Sequence, residues 1–144
     1  MNQWQQSFAK RVEVLRDSAV ARFERFAEDV IVGVYEEYSG FTAQHEFRPS
    51  APPPQRGVRF YKFALSEDAY VLLFFRARGL DAVEFDYECS APGRGCANGE
   101  KVSVSVAEAG RGWVERRFQT ALDHLVAQVS EGCVNETISE LVSV

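Results

Sequence analysis

AVEFDYECSAPGRGCANGEKVSVSVA (residues 82–107) holds two runs of strict alternation joined by a glycine-rich connection. In the first run Val83, Phe85, Tyr87 and Cys89 point one way, and Glu84, Asp86 and Glu88 the other. In the second, Val102, Val104 and Val106 oppose Ser103 and Ser105. A period of two places successive side chains on opposite faces of a strand, so both runs read as strands with one wet face. Pairing Phe85 with Val104 sets Tyr87 against Val102 and Cys89 against Glu100. Residues 90 to 99 are then left as a long hairpin connection.

Working outward, GVRFYKFAL (57–65) and AYVLLFFRA (69–77) flank the turn signal SED and read as two more strands. The second is apolar on both faces, which predicts a central strand covered on both sides or by a partner. FTAQHEF (41–47) alternates as well, with Phe41, Ala43, His45 and Phe47 on one face, and predicts a further strand. RPSAPPPQRG (48–57) carries four prolines, which supply no backbone donors and favour an extended loop.

Helical periodicity brackets this sheet. Trp4, Phe8, Val12, Leu15, Ala19, Phe23, Phe26, Val30, Val34 and Tyr38 recur every three or four residues, predicting helix over 1–39 with Gly40 as its stop. Such a helix would run roughly 55 Å, against a compact domain about 35 to 40 Å across. Either it breaks near residues 17–18, with Asp17 or Ser18 as an internal cap, or its first half leaves the domain and buries Trp4 and Phe8 against a second copy. The size of those two side chains favours the dimer. A second stripe of Trp113, Val114, Phe118, Ala121, Leu122, Leu125 and Val129 predicts helix over 111–131, ended by Gly132. A tail over 133–144 follows, with a capping-box pattern at 137–140.

The order is a long helix, an antiparallel meander of about five strands over 41–107, and an amphipathic helix packed on the sheet: one two-layer α+β domain over 1–144. In layout alone this resembles the secretion-chaperone and frataxin-type sandwiches. No residue motif of either family is present, and the three carboxylates of the first run are the one echo of an acidic iron-binding ridge.

Composition narrows the function classes. The 144 residues carry a formal charge of −5, with 46% apolar and 26% charged side chains. An acidic chain of ordinary globular make-up argues against nucleic acid and anionic membrane as partners. No apolar run reaches membrane-spanning length, and the N-terminus lacks a signal peptide's pattern, so a cytoplasmic protein is expected. Three cysteines, Cys89, Cys96 and Cys133, fit free thiols in a reducing compartment better than a disulfide framework.

The glycine-rich connection leads into a strand and not a helix N-terminus, so it is not a phosphate loop. The spacing of Cys89 and Cys96 is too wide for a zinc pair, and a bridge between them would need an oxidising compartment. GxSxG, HExxH, Walker and CxxC motifs are absent, and no catalytic residue, metal or cofactor is assigned. His45 reads as a core histidine and His124 as a solvated one. The row Glu84, Asp86 and Glu88 could meet a basic partner or a cation. Arg76 and Arg78 read as charge balance.

The expectation is a non-catalytic interaction or chaperone-like domain, homodimeric through Trp4 and Phe8, that holds another polypeptide. The alternative is a binder of a small apolar ligand, enzymatic or not. Its cup would lie between sheet and C-terminal helix, lined by Tyr61, Phe63, Phe74, Phe85, Tyr87 and Phe118.

Overall fold

A computed structural model describes residues 2–142, with side chains described as far as residue 132. Helix α1 (Gln3–Phe26) runs through a π turn (Ala27–Ile31) directly into α2 (Val32–Ala43). A capping box starts it: Asn2 accepts from the Gln5 N–H at 2.8 Å, and the Gln5 side chain accepts from the Asn2 N–H at 3.0 Å. Asp17 and Ser18 do not break the helix. The irregularity sits ten residues later, at the π turn, whose last residue Ile31 is buried, as is Val34 beyond it, where the sequence periodicity pointed to Val30 and Val34.

Gly40 does not end the helix, and the strand expected over 41–47 is absent. Three alternations are too weak a signal to outweigh propagation of an established helix, which adds one hydrogen bond per residue. The Thr42 hydroxyl bonds back to the Tyr38 carbonyl at 2.7 Å. The chain then turns at Glu46, whose φ of 69° lies in the left-handed region. The first strand is displaced to β1 (Arg48–Ser50).

The sheet is antiparallel throughout, with β2 (Val58–Ala64), β3 (Tyr70–Arg78) and β4 (Ala82–Ala91) following β1 in order. The outer edge of β4 is shared by two short strands, β5 (Gly95–Asn98) and β6 (Val102–Ser105). The expected five strands are therefore six, and the long connection over 90–99 is itself a hairpin. Gly93 and Gly95, at φ 77° and 67°, supply the left-handed residues of its turn.

The register also differs from expectation: Phe85 pairs with Val102 and Val83 with Val104. Glu88 pairs with Asn98, so Gly99, Glu100 and Lys101 face only Asp86 and Tyr87. One extra residue enters the edge there, which is a β-bulge.

Helix α3 (Arg111–Val142) continues through Gly132, so the expected tail as far as residue 142, with its 137–140 capping box, lies inside this one helix, and residues 143–144 fall outside the described residues. An isolated glycine costs a helix about 1 kcal/mol and does not by itself stop it. The side chains from Cys133 onward lie outside the described residues.

Both helical layers cover the same face of the sheet. Phe23, Ile31 and Val34 from the first, and Val114, Phe118 and Leu125 from α3, enclose Phe63, Leu73, Phe75 and Phe85 in a solvent-free core. The other face explains the two-sided apolarity of β3 without a second layer. The Lys62 ammonium lies 4.6 Å from the centre of the Tyr70 ring, and the Arg76 guanidinium 4.9 Å from that of Phe74. Long cationic side chains thus shield the outer rings while their charges stay in water.

Candidate functional site

Two features stand apart from the packed core: the N-terminal end of α1, and a cavity at the edge of β2. α1 buries side chains against the sheet only from Ala19 onward, while Val12, Leu15 and Arg16 border a depression shared with Ala77, Gly79 and Leu80. Residues 3–18 form an arm of about 24 Å at 1.5 Å per residue, and all of them but the half-buried Val12 are exposed. Its root crosses the β3–β4 turn, where Arg22 Nη2 donates to the Leu80 carbonyl at 3.2 Å. Trp4, Phe8, Val12 and Leu15 continue along the arm the stripe that Ala19, Phe23 and Phe26 bury against the sheet. Trp4 is 64% and Phe8 49% exposed, and their rings stack at 5.1 Å.

The six residues expected to line a cup do not surround a common space. Phe63, Phe85 and Phe118 are fully packed, and Phe118 fills the region between sheet and α3, with ring centres 5.8 Å from Tyr61, 5.9 Å from Phe63 and 5.7 Å from Phe75. Tyr87 is buried beneath α3, its hydroxyl 2.9 Å from His124 Nδ1. Phe74 points to the opposite face, against Phe60 at 4.9 Å. His124, read from sequence as solvated, is instead the hydrogen-bond partner of a buried phenol. His45, read as a core residue, is exposed just beyond α2, with its ring edge-on to Phe41 at 5.1 Å.

The acidic row is unevenly placed. Glu84 is buried under three cations, with Arg78 at 3.0 Å, Lys101 at 3.6 Å and Arg76 at 4.0 Å, and Asp86 meets Arg76 at 2.9 Å. Only Glu88 is freely exposed. Arg76 and Arg78 thus balance the row locally, and among the described residues no three His, Cys, Asp or Glu side chains converge on a possible metal position.

Cys89 and Cys96 are both free thiols. Cys89 pairs with Ala97 and Ser90 with Cys96, so the two sulfurs occupy opposite faces of the sheet and cannot bridge. Burial pushes the Cys89 thiol up to about 11.

The cavity, of about 570 Å³, lies between the π turn and α2 on one side and the proline segment and β2 on the other. At its inner end Arg59, only 6% exposed, ion-pairs with Glu24 and with Glu28 at 3.0 Å. Arg59 also donates to the carbonyls of Gln55 and Val58 at 3.1 and 2.9 Å. Burial alone would raise the Glu24 carboxyl. The Arg59 guanidinium and the Gly57 N–H, which donates to Glu24 at 2.6 Å, more than offset that and hold it below its ordinary value. Tyr35 stacks on Tyr61 at 4.3 Å in the same wall, and burial raises the Tyr61 phenol strongly.

Sequence reasoning missed this site because it assembles an arginine on a strand, two glutamates on a helix and a proline loop. The one local signal was Arg59 itself, a charge at an inward position of a strand.

Among the described residues no helix is long and apolar enough to cross a membrane. Compared with protein-family models, with curated proteins and with solved structures, the chain matches none.

Proposed function

We propose that the protein is a non-catalytic interaction domain that self-associates through its N-terminal helical arm. The observation that carries this reading is the stripe Trp4, Phe8, Val12 and Leu15, which extends the core-facing side of α1 past the sheet and leaves two large aromatic rings in water. Contiguous exposed apolar surface of this kind marks interaction sites. A second copy presents the same stripe, so a two-fold pairing of arms is self-complementary and closes without leaving a free face. Free thiols at Cys89 and Cys96 support a reducing compartment such as the cytoplasm as its setting.

Light scattering coupled to size exclusion tests the proposal. The wild-type chain is expected at the mass of a dimer, and the double substitution Trp4→Ser, Phe8→Ser at the mass of a monomer with its circular dichroism spectrum retained. A monomeric wild type, or a dimer indifferent to the double substitution, would overturn it.

A further inference from the structure

We infer that the cavity between the π turn, the proline segment and the edge of β2 is a binding site for an uncharged, flat aromatic molecule that carries a hydrogen-bond donor and an acceptor on one edge.

The cavity follows from the sequence. β1 pairs with β2 only as far as Ser50 against Lys62. Pro52, Pro53 and Pro54 then offer no N–H with which to continue the ladder, so the chain lifts away and rejoins at Gln55, whose carbonyl accepts from the Val58 N–H at 3.1 Å. What remains is a gap one residue long.

That residue is Phe60. The Gly57 carbonyl accepts from the Ala77 N–H at 2.9 Å, so the odd-numbered positions of β2 bond to β3 and the even-numbered ones face away from it. Of the even positions, Lys62 and Ala64 pair with β1, and the Val58 N–H is bonded to Gln55. Phe60 alone turns both its N–H and its C=O toward the cavity that it lines. A donor and an acceptor side by side on a strand edge call for a ligand edge with the complementary pair.

The walls and charges define the rest. Tyr35, Phe60, Phe74 and the prolines supply flat apolar surface, and the volume falls within the range of small-molecule sites. Two glutamates, Glu28 and Glu36, and two arginines, Arg59 and Arg76, line the cavity, so their charges cancel. Neither arginine is free for an anion, since Arg59 is held by Glu24 and Glu28 and Arg76 by Asp86. The π turn on the opposite side is a form of helix found preferentially at functional sites.

The test is titration of the ¹⁵N-labelled full chain with 7-azaindole, whose ring N–H and ring nitrogen form the required edge. Indole lacks the acceptor, and 2-naphthoate is anionic. The expected result is saturable shifts of the amides of Val58 to Tyr61 and of Tyr35 with 7-azaindole, binding about tenfold weaker for indole through loss of one hydrogen bond, and no binding of 2-naphthoate. Val32→Phe, which fills the cavity from the helix side, is expected to abolish the shifts in a folded protein. Silence at these amides with 7-azaindole, equal affinity for indole, or unchanged binding in the folded Val32→Phe variant would each overturn the inference. None of these outcomes depends on how the arm behaves.

Discussion

Arg59 of β2 and Glu28 of the π turn, 31 residues apart in sequence, meet at 3.0 Å, and Glu24 one turn earlier closes on the same guanidinium. This contact fixes the helix to the edge of the sheet at the point where hydrophobic packing gives way to the cavity.

Removing the cation leaves a carboxylate, Glu24, that is largely withdrawn from water. Arg59→Leu is expected to lower stability to urea by about 2–4 kcal/mol, somewhat under the value for breaking a fully buried pair because Glu28 can turn to solvent. Arg59→Leu combined with Glu24→Leu should recover most of that loss. A double variant as unstable as the single would show that the arginine acts through packing.

The same pair makes stability depend on pH. The folded-state pKa of Glu24 lies below its ordinary value of 4.5, so its contribution is fully present above that value and is lost as pH falls through the lowered folded pKa. The difference in urea midpoint between wild type and Glu24→Gln should accordingly be greatest near neutral pH and shrink in the acid range below 4.5. A difference that stays constant down to the lowest measurable pH would contradict the assignment.

Gly99 sits opposite Tyr87, and a Cβ placed there would come within 2.0 Å of the Tyr87 ring. The Tyr87 hydroxyl is tied to His124 Nδ1 at 2.9 Å and the ring is buried, so moving it breaks that bond and disturbs the packing under α3. Gly99→Ala should therefore destabilise the domain by about 1–3 kcal/mol, the range for overpacking a filled site. Thermal unfolding measures it, and Gly110→Ala, with nothing near its Cβ position, is the matched control.

The two faces of the sheet predict unequal costs for one kind of substitution. Phe118→Ala removes a ring that touches three buried aromatic side chains and should cost about 3–5 kcal/mol. Phe74→Ala, on the open face, should cost clearly less, because its ring is already partly in water. Equal losses would place Phe74 under a cover that the monomer lacks.

Thiol labelling separates the cysteines. In the native protein at neutral pH, peptide mapping after N-ethylmaleimide treatment should find Cys96 modified and Cys89 intact, since Cys89 is buried with its thiol raised to about 11. Cys89 should label only on unfolding. Rapid native labelling of Cys89 would mean that α3 opens from the sheet.

Helix and strand were legible in the sequence where one face was apolar and the other wet: the stripe from Trp4 to Phe26, the alternation from Val83 to Cys89, and the stripe of α3. Reading failed where a local rule met a longer-range contact. Gly40 and Gly132 look like helix stops, yet neither takes the left-handed conformation that would make it one. The bulge at Gly99–Lys101 shifted the register because Tyr87 needs a glycine across from it, a demand of packing that alternation does not carry. The two-layer α+β architecture was nevertheless reached, since it depends only on element type and order. Of the candidate residues, Trp4 and Phe8 lie exposed on the part of α1 that precedes Ala19. The cavity escaped notice because Glu24, Glu28 and Arg59 belong to separate elements, and only Tyr61 and Phe74 of the expected cup line it.

The π turn has a consequence for how the chain tolerates length change. It carries Ala27 and Ile31 into the core between Phe26 and Val34, with one residue more than an α-helical turn would use. Deleting one residue between 27 and 31 would let a plain α-helix form. Because five residues wound as a π turn carry the chain about as far round as four wound as α-helix, the segment from Gln3 to Phe26 would keep its phase relative to α2. Phe23 would stay in the core and Trp4 and Phe8 would keep their direction, whereas the same deletion in the regular helix on either side would turn the arm by about 100°. The π turn is therefore a place where this helix absorbs one residue of length without re-aiming the arm, and a change of length anywhere else along it would alter the geometry of assembly before it altered the fold.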